Sequence, residues 1–170
     1  MEVFFMARLD KSRLIFGLFL VIVIAIGEIV FHLLHVPSWP AYLIMIFFFM
    51  ANMDKKQALN MLVGGAFGIL MIIVARFAIV ALMGAGLDQF VSTLIFIIIF
   101  VYCIVAFGEV IPFLFNNYAF MAFLFTATYM TVPNPVNPFV LAAVLLAGGG
   151  IFILAILGIV KTLMKLAASK

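Results

Sequence analysis

Six runs of apolar residues follow one another along the chain, separated by short stretches that carry charged residues, glycine, proline or asparagine. A helix needs about 20 apolar residues to cross the ~30 Å core of a bilayer, and four of the runs reach that length. The second and fifth runs are shorter, so we expect perpendicular or partly buried helices, or spans extended by flanking loops. The runs cover residues 13–35, 39–53, 58–82, 91–115, 118–130 and 138–163.

The composition identifies lipid as the solvent for these runs. Hydrophobic residues make up 69% of the chain and charged residues 9%, and the mean hydropathy is +1.46. A soluble domain is about half apolar and about one quarter charged. We therefore expect an all-α integral membrane protein that contacts the lipid bilayer, and nucleic-acid binding is not supported. Because Cys103 is the single cysteine, an internal disulfide is excluded.

The basic residues predict the orientation. With the N-terminus inside, eight of the nine Lys and Arg residues lie on the cytoplasmic side, as the positive-inside rule requires. These residues are Arg8, Lys11, Arg13, Lys55, Lys56, Lys161, Lys165 and Lys170. The ninth, Arg76, lies roughly 27 Å along the third helix, near the outer surface. Both termini are expected in the cytoplasm. The first run is too long for a signal peptide and lacks a cleavage site, so it should remain a span.

A short pattern occurs twice. Residues 24–30 read Ile-Ala-Ile-Gly-Glu-Ile-Val and residues 105–111 read Val-Ala-Phe-Gly-Glu-Val-Ile, and 41–51 aligns with 119–129. Three helices in each half require the second half to enter the membrane from the opposite side. We therefore predict one membrane domain, 1–170, with six transmembrane helices as a 3+3 inverted repeat. The repeats cover 13–83 and 91–164.

Four glycines stand at spacings typical of close helix contact. Gly64 and Gly68 are four residues apart, and Gly148 and Gly150 lie in the matching run of the second half. Small residues at such positions let two helix backbones approach each other in lipid. We expect all four to pack helices together.

Each half carries one acid in an apolar run. Glu28 lies about 21 Å from the cytoplasmic start of its helix, and Glu109 lies as far from the outer start of its own helix. A charge within lipid is costly and by default marks a functional site. The two acids suit a gate or a proton-exchange site on each side. The alternative is that each is a protonated, hydrogen-bonded group that only holds the bundle together.

Glu28, His32 and His35 share one helical face. Three interpretations stay open, namely a proton relay, a three-ligand metal cluster, or histidines at the wet outer interface. The metal cluster is the least favoured of the three, because it has no fourth ligand and the matching residues of the second half include no histidine. We therefore predict no metal site.

The short helices carry the remaining polar candidates, Asn52, Thr126 and Thr128. They would orient a small ligand or form ordinary interhelical hydrogen bonds. No nucleophile with a base and no phosphate-binding loop is present. We therefore predict no enzyme activity and no cofactor.

Three segments occur in a recognisable order: Trp39-Pro-Ala-Tyr-Leu, then Asp54-Lys55-Lys56-Gln57, then Leu62-Val-Gly-Gly-Ala-Phe-Gly68. This order resembles the membrane repeat of the fusaric-acid-resistance and aromatic-acid-exporter group, and small six-helix bacterial inner-membrane proteins share the plan. The second half has a proline-rich loop in place of the basic turn, and the usual cytoplasmic domain is absent. The resemblance implies the bacterial inner membrane and organic-acid efflux.

Inverted repeats are common among transporters, because two equivalent arrangements of the halves give inward-open and outward-open states. The first hypothesis is a homo-oligomeric secondary transporter or channel for a small molecule or ion. Its pore would run within or between subunits. The second hypothesis is a non-transporting membrane subunit, either a ligand-binding component or a scaffold of a larger assembly.

Overall fold

The computed structural model describes residues 11–168, and this part of the chain is helical without any strand. It contains six α-helices and one short 3-10 turn, Lys55–Gln57. The helices are α1 (Lys11–Leu33), α2 (Trp39–Met50), α3 (Ala58–Gly84), α4 (Gln89–Phe107), α5 (Asn117–Tyr129) and α6 (Pro138–Ala168). The all-α prediction with six helices is confirmed.

Four of the helices, α1, α3, α4 and α6, are long and apolar enough to cross a membrane, as expected of a multi-pass membrane protein. The other two are short, with 12 residues in α2 and 13 in α5. At 1.5 Å per residue these reach only about 20 Å, less than the ~30 Å core. The expectation that the second and fifth helices are short is therefore confirmed, and four of the six helices are long enough to span.

Local sequence explains where the short helices start and stop. Pro40 occupies the first turn of α2, where its missing N–H and fixed φ are tolerated. The helix ends at a turn in which Asn52 and Met53 have φ of 52° and 58°. A left-handed residue after the last turn is a common helix terminator. Asn116 begins α5, because its side chain accepts a hydrogen bond from Ala119 N at 2.9 Å.

The helices alternate in direction, so the lysines group at one end of the bundle. We call this the lysine-bearing end, defined by Lys11, Lys55, Lys56, Lys161 and Lys165. The opposite end contains the 34–38, 85–88 and 130–137 connections.

Two long helices, α3 and α6, contact each other at the centre. Each of them also packs against the short helix of the other half, α5 on α3 and α2 on α6. The outer helices follow the same scheme, because α4 packs on α3 and α1 packs on α6. The largest fully buried side chains are Ile44, Phe47, Phe48, Met61, Ile69, Leu141, Leu145 and Ile156. The core therefore lies where α2, α3, α5 and α6 meet.

Glycines bring the short helices against the long ones. An added Cβ at Gly68 would overlap the carbonyl oxygen of Ala119 in α5, so the two backbones are in direct contact. A Cβ added to Gly148 of α6 would lie 2.8 Å from the Cβ of Ala41 in α2. A Cβ added to Gly149 would lie 2.7 Å from the Cβ of Ile44, also in α2. Close backbone approach of this kind is how helices associate without a hydrophobic driving force.

The predicted role of Gly150 needs correction. An added Cβ there would meet no atom within 4 Å, so Gly150 lies on a face of α6 that no helix among residues 11–168 covers. The contact with α2 is made by Gly148 and Gly149 instead. Consecutive helical residues point about 100° apart, which is why neighbouring glycines differ so strongly.

The start of α5 is fixed on α3 by the side chain of Asn116. Its Nδ2 donates to the carbonyl oxygens of Asn60 at 3.1 Å and Pro112 at 2.8 Å. The side chain fits because Gly64 has no Cβ, which would lie 2.5 Å from Nδ2. Asn116 therefore joins α3, α5 and the connection after α4.

Replacing Asn116 by alanine is expected to lower the free energy of unfolding by about 2 kcal/mol. The change removes a helix cap, worth about 1 kcal/mol, and the interhelical bond to Asn60, worth about 0.6 kcal/mol. It also removes the bond to Pro112 in the connection after α4, worth about 0.5–1 kcal/mol. Reversible unfolding in mixed detergent would measure this loss. Asn117→Ala, at the exposed first residue of α5, is the matched control and should change little. Equal effects of the two substitutions would contradict the assigned role of Asn116.

Candidate functional site

One of the two predicted acids has a polar partner on another helix. Glu28 lies on α1, five residues before the helix ends, and its carboxylate accepts a hydrogen bond from the Tyr42 hydroxyl at 2.7 Å. The same hydroxyl lies 3.4 Å from the carbonyl oxygen of Ile24. The side chain of Ser38, just before α2, also faces the carboxylate. We call Glu28, Ser38 and Tyr42 the carboxylate–tyrosine site.

The short connection between α1 and α2 explains why the carboxylate–tyrosine site forms. Only residues 34–38 separate α1 from α2, and such a short connection holds the two helices side by side at the opposite end. Tyr42 lies in the first turn of α2 and Glu28 in the last two turns of α1, so their side chains meet across the hairpin. Among the described residues, the bond from Tyr42 to Glu28 is the one hydrogen bond that joins the side chains of two different α-helices.

The second acid, Glu109, is not in a helix. The predicted helix over 91–115 is too long, because α4 ends at Phe107 and Glu109 lies exposed in the turn that follows. Pro112 accounts for this, since a proline lacks the N–H and collides with the carbonyl four residues earlier, here that of Gly108. The matching position in the first copy is Phe31, which lets α1 continue past Glu28.

The two acids also differ in their partners. In the alignment of 41–51 with 119–129, the residue that matches Tyr42 is Phe120, which has no hydroxyl. Glu109 lies at the lysine-bearing end, whereas Glu28 lies towards the opposite end. The Gly-Glu sequence pattern is therefore repeated, but neither the helix around the acid nor the chemistry of the carboxylate–tyrosine site is.

The two histidines lie beside this site, at the end of α1. His32 is exposed in the last turn, and its ring centroid is 6.5 Å from that of His35. His35 has a φ of 54° and terminates the helix. Within residues 11–168, no three His, Cys, Asp or Glu side chains are grouped closely enough to hold a metal ion. A three-ligand cluster of Glu28, His32 and His35 is therefore not formed.

The remaining predicted polar residues are not brought together. Thr126 is fully buried and donates to the carbonyl oxygen of Ala122 at 2.7 Å, within its own helix. Thr128 is exposed and donates to Leu124 O at 3.1 Å. Asn52 follows α2 at the lysine-bearing end, whereas the two threonines are at the opposite end of α5. No shared ligand site forms from these three residues.

The interior formed by residues 11–168 is almost entirely apolar. Among the described residues, Ser92 and Thr126 are the buried polar side chains. Both hydroxyls are used within their own helices, that of Ser92 on the carbonyl oxygen of Asp88 at 2.8 Å. Apart from Trp39 Nε1, the described residues leave no buried side-chain donor or acceptor without a hydrogen bond.

Two grooves on the outside of the bundle are lined almost entirely by apolar side chains. One has a volume of about 540 Å³ and lies between α1 and α6, beside Gly27, Phe31 and Phe152. The other, of about 430 Å³, lies between α2 and α5 beside Trp39 and Phe125. The Trp39 Nε1 donor is buried and has no partner within the described residues.

Sequence reasoning did not connect Tyr42 with Glu28. Tyr42 is the one tyrosine of the first half, and its position near the end of an apolar run is also typical of an interfacial anchor. A hydroxyl in the first turn after a short connection would have indicated a partner for the acid before that connection. A carboxylate with a phenol donor can hold a proton, release it, or exchange the donor for a polar group of a ligand.

No protein-family model, curated protein or solved structure matches this chain.

Proposed function

We propose that this protein is a secondary transporter or channel for a small molecule, built as a 3+3 inverted repeat. The support for the repeat is the exchange of short helices, because α5 packs on α3 as α2 packs on α6. The outer helices extend the same correspondence, with α4 on α3 and α1 on α6. The grouping of lysines at one end supports cytoplasmic termini. The resemblance to the exporter group favours the bacterial inner membrane and a small organic acid as substrate.

The observation that carries the proposal is the 2.7 Å hydrogen bond between Tyr42 and Glu28. An intramembrane carboxylate with a hydrogen-bond donor on another helix is typical of proton relays in transporters. Protonation of Glu28 removes the charge that strengthens this bond, so α1 and α2 can separate at that end. Proton binding would thereby be linked to movement of the helix hairpin.

The pathway in this proposal runs between subunits of a homo-oligomer. The support is the core of the single chain, where both buried hydroxyls are already bonded within their helices. The α1 helix contributes little to that core, and much of its surface is exposed apolar side chain. A neighbouring subunit on the α1–α2 side would enclose the carboxylate–tyrosine site from outside.

Flux into liposomes tests the proposal. Purified protein would be reconstituted, and uptake of aromatic and short-chain carboxylates measured at acidic and neutral pH. For Glu28→Gln we expect a loss of about 100-fold, the usual contribution of a positioned proton-transfer group, and a flat pH profile. Tyr42→Phe should cost about tenfold, because it removes one hydrogen bond to a charged group.

Glu109→Gln is the matched control, since it neutralises the repeated acid that has no tyrosine partner. We expect its flux and pH profile to stay near those of the unmodified protein. If Glu28→Gln transports with an unchanged pH profile, the proton-coupling role is wrong.

A non-transporting membrane subunit is the second candidate, and the closed interior of the single chain is the observation that favours it. A scaffold needs no polar passage, only apolar faces for neighbouring helices. Purification from native membranes in mild detergent distinguishes the two. A stoichiometric partner together with absent flux would support the subunit. Flux by the isolated protein would exclude it.

A further inference from the structure

A third groove lies between the second half of α3 and the start of α6, and it contains a charged residue. Its volume is about 430 Å³. Arg76 and Asn137 are the polar residues of its lining, and the walls are otherwise apolar or proline. These remaining residues are Ile73, Phe77, Val80, Pro138 and Phe139. No carboxylate lines the groove.

The carboxylates of the described residues are engaged or distant. Glu28 is bonded to a tyrosine. Asp54 and Asp88 accept hydrogen bonds from backbone N–H groups at the starts of helical segments. Glu109 lies at the lysine-bearing end, away from this groove. The charge of Arg76 is therefore not neutralised by a side chain that lines its own groove.

Depth in the membrane makes this charge informative. Arg76 is 18 residues beyond the start of α3, which is about 27 Å at 1.5 Å per residue. That distance nearly equals the ~30 Å hydrocarbon core, so the guanidinium reaches the phosphate level of the leaflet opposite the lysines. The other described basic residues belong to the lysine-bearing end. The positive-inside rule therefore does not explain why the chain has an arginine at position 76.

We infer that the groove at Arg76 and Asn137 binds a phosphate-type oxyanion, with an anionic lipid headgroup as its source. A guanidinium presents paired N–H donors that match phosphate oxygens in bidentate geometry. Asn137 adds donors, because its Oδ1 accepts from Phe139 N at 2.9 Å and its Nδ2 group remains for a ligand. The exposed rings of Phe77 and Phe139 line the groove and would contact an acyl chain.

Lipid retention tests the inference. Protein purified in mild detergent would be mixed with detergent micelles that contain either phosphatidylglycerol or phosphatidylcholine. The lipids that stay bound would then be counted by native mass spectrometry. We expect tight retention of phosphatidylglycerol and a loss of roughly fivefold in affinity for Arg76→Gln, the effect of one basic residue at a membrane surface. Arg76→Lys should fall between the two. Lys161→Gln removes the same charge at the other end and should retain the lipid.

A second arm distinguishes the lipid from a free oxyanion. Thermal stability would be measured in lipid-free detergent with inorganic phosphate and with chloride at equal ionic strength. Stabilisation by phosphate that disappears in Arg76→Gln, without selective lipid retention, would assign the site to a soluble phosphate-type ligand. The inference is overturned if phosphatidylglycerol and phosphate bind Arg76→Gln as well as the unmodified protein, or if neither binds the unmodified protein.

Discussion

Replacing Gly68 by alanine is expected to destabilise the helix bundle strongly. The new Cβ would occupy the space of the Ala119 carbonyl oxygen, which belongs to the backbone of α5 and cannot rotate away. Overpacking usually costs about 1–3 kcal/mol even where side chains can adjust. Here the contact between α3 and α5 must open, so we expect a loss of about 3 kcal/mol or more in the free energy of unfolding.

Reversible unfolding in mixed detergent would measure this effect, with Gly150→Ala as the matched control. Gly150 is also a helical glycine, but an added Cβ there meets no atom within 4 Å. Alanine is favoured over glycine in a helix by up to about 1 kcal/mol, so the control should be neutral or stabilising. A neutral Gly68→Ala protein would show that α3 and α5 are not in backbone contact.

The second large effect is expected for Phe47→Ala. Phe47 is fully buried, and its ring centroid lies 5.0 Å from that of Tyr118. The substitution leaves a cavity where α2 meets α5, and buried Phe→Ala changes cost about 3–5 kcal/mol. We expect a loss of at least about 3 kcal/mol in the free energy of unfolding, measured in the same detergent system.

Phe90→Ala is the control for Phe47→Ala, because the Phe90 side chain is 75% exposed. In a membrane, lipid or detergent chains contact that ring and fill the space when it is removed. The stability of Phe90→Ala should therefore stay within about 0.5 kcal/mol of the original, as for surface changes elsewhere. Similar losses for both substitutions would mean that Phe47 is not held in a closed core.

Apolar runs predicted the number and order of the helices because lipid requires continuous apolar helical segments. The end of α4 was missed because a hydrophobic run does not reveal a helix break. Residues 108–115 are mostly apolar, yet Pro112 stops the helix before them. Because a proline disrupts the helical turn before it, the position of Pro112 could have predicted that α4 ends early.

The carboxylate–tyrosine site was half predicted. Glu28 stood out because an acid in an apolar helix is rare. Its partner Tyr42 depends on how α1 and α2 are rotated about their axes, which hydrophobicity does not determine when both helices are apolar all round. The same limit explains the choice between Gly149 and Gly150. Neighbouring residues face directions about 100° apart, and only the packed structure shows which direction is covered.

The exchange of short helices between the halves has a consequence for biogenesis. The main partner of α2 is α6, which follows α3, α4 and α5 along the chain, so α2 must enter the bilayer before its binding surface exists. At about 18 Å, α2 cannot anchor itself as a span during that interval, and it depends on α1 and α3 to retain it. Insertion of α6 is therefore the step that covers α2, and a nascent chain that stops before α6 would leave the packing face of α2 exposed.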